Sequence, residues 1–100
     1  MFIHVIATIL VITANIILKV EPFEWLVTIL AIGLVLSAEL INTAIEAIVD
    51  MVTLEFHPLA KIAKDCGSAA TFVLALMAAI IGCVVYIPHI PNILKGLGIL

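Results

Sequence analysis

Three long apolar runs leave this chain few folds to choose from. Phe2 to Leu18 (FIHVIATILVITANIIL), Leu26 to Ala38 and Ala69 to Ile87 contain no Asp, Glu, Lys or Arg at all. Soluble proteins are about half apolar and a quarter charged, whereas this sequence is 66% hydrophobic and 11% charged, which excludes a water-soluble globule. A helix needs about 20 apolar residues to cross a bilayer, so 100 residues hold three crossings and not four. The sequence therefore predicts an all-α membrane protein with one domain over residues 1–100. Its helices are expected at about 2–18, 25–54 and 58–87, with a tail over 88–100.

The first run has no Lys or Arg before it and no small-residue cleavage pattern after it, so it reads as an anchor and not a secretion signal. The connection KVEPFEW offers Pro22 as a turn-former and Trp25 as an interfacial anchor. Pro58 suits the first turn of the third helix, where its missing N–H has no partner to lose. Pro88 is expected to end that helix, leaving HIPNILKGLGIL loosely at the interface. Thr8, Thr13 and Asn15 are expected to hydrogen-bond between helices, and Ala69, Ala70, Ala75, Ala78, Ala79 and Gly82 to form a small-residue packing seam. Lys61 and Lys64 flank the second connection and Lys19 alone the first. That asymmetry puts the second connection and the N-terminus in the cytoplasm and the C-terminus outside.

A net charge of -3 offers no basic stripe to nucleic acid, so DNA and RNA are not expected partners. Cys66 and Cys83 on one helix would lie about 25 Å apart, too far for a disulfide, which needs Cα atoms within roughly 7 Å.

The second helix does not stay apolar. Glu39, Asn42, Glu46 and Asp50 fall within a sector of roughly 80° on one face. Each acid near mid-bilayer costs about 2.5 to 3.5 kcal/mol on insertion scales, and each Leu, Ile, Val or Phe returns only about 0.3 to 0.6. These carboxylates must face protein, water or a cation. Counting about 20 residues inward from Trp25 puts the cytoplasmic boundary near Ile45, with Glu39 beneath the headgroups and Asp50 in water. On the third helix Lys61, Lys64, Asp65 and Ser68 share a face that the short link brings beside Glu46 and Asp50. Carboxylates, an amide and lysines at a membrane boundary suit a magnesium nucleotide: hard oxygen ligands for Mg²⁺ and a cation for phosphates. The same residues would also serve as an ion-pair network between helices. An ion-conducting oligomer is a third possibility, disfavoured because the polar residues cluster at one boundary and leave the outer half of the membrane dry.

The run ELINTAIEAIVDMVTLEFHPLAKIAKDCGSAA, Glu39 to Ala70, closely resembles the signature of the bacterial integral-membrane diacylglycerol kinase family, which includes undecaprenol kinases. HPLAKIAKD and the IP-containing tail look more like the undecaprenol kinase branch, and CGSAA more like the diacylglycerol kinase branch. The resemblance implies a homotrimer of three-helix protomers in the inner membrane, with sites shared between neighbouring subunits at the cytoplasmic interface. It implies transfer of the γ-phosphoryl of Mg-ATP to a lipid alcohol. Glu39 would then be the catalytic base, Asn42 a positioning group and Glu46 a magnesium ligand. Asp50, Lys64 and Asp65 would contact the nucleotide beside Glu46, and Ser68 with Glu39 the lipid. Family members also carry an N-terminal surface helix and an acidic metal ligand just before the first span. This sequence begins at MFIHV, with Phe2 where Arg is common. The expectation there is a chain cut short, metal held by fewer ligands, or a non-catalytic member.

Overall fold

The computed structural model describes residues 1–99 as an elongated helical body of 59 × 21 × 17 Å. Three helices, α1 (Phe2–Leu18), α2 (Pro22–Val52) and α3 (Pro58–Tyr86), are followed by a 3-10 turn (Ile87–His89) and a short α4 (Ile90–Gly96). All described regular structure is helical, and the helix bounds lie within a few residues of those expected.

Local chemistry sets each end. α1 stops at Lys19, which takes a left-handed conformation (φ 51°); its N–H donates to the Ile16 carbonyl, and the Val20 N–H donates to the Asn15 carbonyl. Contrary to expectation, Pro22 does not sit in a turn before the helix; it occupies the first turn of α2. Glu21 and Glu24 form a capping box there, the Glu21 N–H donating to Glu24 Oε1 at 3.2 Å. At the head of α3, His57 Nδ1 accepts the Leu59 N–H at 3.1 Å and Pro58 fills the first turn.

The tail is a second correction. Pro88 tightens the chain into a 3-10 turn, and Pro91 then sits at the start of α4. The prolines fall where helix starts tolerate them, so helical structure runs from Pro58 to Gly96. His89 Nε2 reaches Glu24 Oε2 at 3.1 Å, which ties this segment back to α2.

Two helical stretches, Pro22–Val52 and Pro58–Gly96, are long and apolar enough to span a membrane. α1 is apolar but only 17 residues long, about 25 Å against a hydrocarbon core of about 30 Å. Very little is buried inside one protomer: Val20, Ala31 and Val85 among apolar residues, with Asn15 and Thr28 among polar ones. Large apolar side chains such as Phe72, Leu76 and Ile80 point outward, as a lipid-facing surface requires.

α1 runs antiparallel to α2 and covers only part of it. Asn15 meets Thr28 near one end and Met1 lies beside Glu39 near the other, so α2 beyond Glu39 packs chiefly against α3. The small-residue seam on α3 is divided, with Ala78 and Gly82 turned toward α1 and α2 and Ala69, Ala75 and Ala79 exposed.

Far from the acidic stripe the protomer has a buried polar knot. Tyr86 Oη donates to Asn15 Oδ1 at 2.5 Å, Asn15 Nδ2 donates to Thr28 Oγ1 at 2.8 Å, and Thr28 donates to the Glu24 carbonyl at 2.9 Å. Asn15 is 1% exposed and bonds between helices as expected. Thr8 and Thr13 do not: each donates to the carbonyl four residues back in its own helix. On the side of Glu39, the space between the helices is lined mostly by apolar side chains, Val11, Ala31, Ile32 and Val35 among them, with His4 and Thr8 the polar ones.

Candidate functional site at the α2–α3 turn

The four polar residues of the α2 stripe meet different surroundings. Glu39 is a quarter exposed (25%), and its Oε1 lies 3.8 Å from the Met1 amine. One turn on, Asn42 Nδ2 lies 3.5 Å from Glu46 Oε1, the contact that an i, i+4 spacing produces. Asn42 Oδ1 is buried without a hydrogen-bond partner among the described residues and lies against the bare Cα side of Gly67 on α3. Glu46 and Asp50 are exposed.

Between α2 and α3 the link Thr53 to His57 is held by the Thr53 hydroxyl, which accepts the Glu55 N–H at 3.1 Å. The compact reversal brings Lys64 back to α2, where its Nζ lies 2.6 Å from Asp50 Oδ1. Lys61 pairs instead with Asp65 within α3, at 2.7 Å. Both pairs line a cleft of about 350 Å³ whose floor is the Thr53–His57 link. The spacing argument thus holds for Lys64 and Asp50, whereas Lys61 and Lys64 take different partners. Ser68 lies outside this cleft, and its described hydrogen bond is the one its carbonyl accepts from Thr71.

Chemically, the cleft has one cation bonded across two helices, a second within α3 and carboxylates around both. Exposed ion pairs of this kind add little stability, about 0 to 1 kcal/mol. No group of three or more His, Cys, Asp or Glu side chains converges to hold a metal among the described residues. Glu46 offers an exposed carboxylate of the hard type Mg²⁺ takes when phosphates and waters complete its shell, and Asn42 turns its Nδ2, not its oxygen, toward it.

Residues 1–86 match the family model described as prokaryotic diacylglycerol kinase. Among curated relatives, the undecaprenol kinase of Bacillus subtilis is 39% identical over 87 residues, covering 87% of this chain and 71% of that protein. The diacylglycerol kinase of Synechocystis is 39% identical over 93 residues, covering 92% of this chain and 53% of the relative. That of Escherichia coli is 38% identical over 72 residues, covering 72% and 59% respectively. The helical fold and the match over most of the chain define a membrane protein of the lipid-kinase class. The chain belongs to the prokaryotic diacylglycerol kinase family.

Sequence reasoning named the acids, amide and lysines but passed over Gly67. A glycine inside a helix costs up to about 1 kcal/mol relative to Ala, and that anomaly in CGSAA was the available signal.

Proposed function

We propose that the protein uses Mg-ATP to phosphorylate a lipid alcohol, undecaprenol or diacylglycerol, at the cytoplasmic face of the bacterial inner membrane. It acts as a homotrimer of three-span subunits with sites shared between neighbours. The observation that carries this reading is the Lys64–Asp50 pair across the α2–α3 turn, in a cleft also lined by Lys61 and Asp65, in a chain of this family.

In this reading the lipid hydroxyl gives its proton to Glu39 as its oxygen attacks the γ-phosphorus. The bond from that phosphorus to the bridging oxygen breaks, and ADP leaves with the bond's electron pair. Asn42 orients the groups between Glu39 and Glu46. Lys64, with Asp50 and Asp65 beside it, holds the phosphate tail, and Ser68 contacts the lipid. Glu46 would hold Mg²⁺ together with the nucleotide phosphates, and the ion supplies charge neutralisation there. Phosphoryl transfer depends chiefly on such positioning and electrostatics, which a cleft between two helices provides.

The test is turnover by the full chain in lipid–detergent micelles, with labelled ATP, Mg²⁺ and each alcohol in turn. A labelled lipid phosphate is expected from one of them, and its absence with both would defeat the reading. Glu46→Gln is expected to lower turnover about tenfold or more at fixed Mg²⁺ and to raise the Mg²⁺ concentration for half-maximal rate. Lys64→Met removes a charge-assisted contact of about 1.5 to 3 kcal/mol, so KM for ATP is expected to rise about tenfold or more. An unchanged KM would remove Lys64 from the nucleotide site.

A further inference from the structure

Gly67 lies on α3 opposite Asn42, within the segment where α2 and α3 approach each other. It is one of few buried residues in the protomer. A Cβ built on it would overlap Asn42 Oδ1 outright, and would lie 3.4 Å from Asn42 Cγ and 3.7 Å from Ile45 Cδ1. The clash is with a short side chain rooted on the facing helix, so a side chain at this position can be accommodated only if Asn42 rotates away or the helices separate. Asn42 Oδ1 accepts no hydrogen bond from the described residues. The amide is therefore oriented by contact with the bare backbone of Gly67, while Nδ2 is held toward Glu46 Oε1 at 3.5 Å.

We infer that Gly67 is a positioning residue: its missing side chain creates the recess that seats the Asn42 amide and fixes its aim at Glu46. This rests on the proposed site, because Asn42 and Glu46 matter to turnover only if that reading holds. Helix propensity alone works in the opposite sense, since Ala is favoured over Gly inside a helix. A loss on Gly67→Ala would thus reflect the clash and not a weakened helix. Gly82 supplies the control on the same helix. A Cβ there meets only Tyr86 Cδ2 at 4.0 Å.

The experiment compares the full-length parent with G67A, N42A, the double variant and G82A in micelles, using Mg-ATP and both alcohols. G67A is expected to lower kcat about tenfold or more, because misplacing a group by about 1 Å can cost up to 100-fold. G82A is expected to stay within about twofold of the parent, and the double variant within about twofold of N42A, since residues acting through one contact are not additive. G67A at parental rate, or a double variant showing the product of both losses, would overturn the inference while leaving the site reading intact. Full turnover by N42A would overturn both. If the parent phosphorylates neither alcohol, the Asn42 side-chain amide signals of ¹⁵N-labelled protein, assigned with N42A, still decide the matter. A shift in G67A but not in G82A supports the recess, and no shift in G67A rejects it.

Discussion

Glu39→Gln is expected to reduce lipid phosphorylation by at least about 100-fold while leaving the helices intact. A positioned general base contributes about 10² to 10⁴ in rate, and Gln keeps the shape of Glu while losing its ability to take a proton. Gln and Glu have similar helix propensities, and Glu39 sits well inside α2. Its described ion-pair contact is with the partly exposed Met1 amine at 3.8 Å, which adds little to stability. The loss should therefore fall on kcat with KM for ATP nearly unchanged, since the Lys64–Asp50 pair lies further along the hairpin. The check is initial-rate kinetics beside the circular dichroism of both proteins. Turnover within about threefold of the parent would strip Glu39 of the base role.

Asn15→Ala is the substitution expected to cost most in stability. Asn15 joins all three long helices: its Oδ1 accepts from Tyr86 at 2.5 Å and its Nδ2 donates to Thr28 at 2.8 Å. Hydrogen bonds between membrane helices average about 0.6 kcal/mol each, so two bonds plus the cavity left by a fully buried side chain come to about 2 kcal/mol. Tyr86→Phe removes one bond and only the hydroxyl oxygen beside Asn15, and is expected to cost about 0.6 kcal/mol. Unfolding titrations in mixed micelles, followed by Trp25 fluorescence, should rank Asn15→Ala well below Tyr86→Phe. Equal midpoints would mean that the knot contributes little. Where both variants remain folded, turnover should match the parent, because the knot lies at the opposite end from the Lys64–Asp50 cleft.

The long elements were legible because apolar runs and prolines mark them independently: α1 and the start of α3 fall where composition puts them. Pro22 was read as a turn because proline serves both turns and first helical turns. Glu21 and Glu24, three apart around it, carried the deciding cue as a capping box. The tail helix escaped because two prolines suggested irregularity, when each instead sits at a tolerated position. In the candidate site, helical spacing gave the Asn42–Glu46 contact directly, but it could not divide the lysines. Whether Lys61 or Lys64 crosses to Asp50 depends on how the Thr53–His57 link turns. The buried knot was out of reach for a related reason. Periodicity places Asn15 on a face, but only the packing of three helices decides that Thr28 and Tyr86 meet it there.

The coverage of α2 by α1 makes the subunit resemble a closed loop on a thicker stem. Near Asn15 three helices and the returning His89 are bolted together, like the stem. Past Glu39 the protomer is chiefly α2 and α3, closed at the far end by the Thr53–His57 link, with Gly67 and Asn42 in contact between them and exposed ion pairs beside the link. On the proposed reading, rearranging these pairs to admit or release a phosphate tail would break contacts of low energy, while the stem keeps the bundle in register.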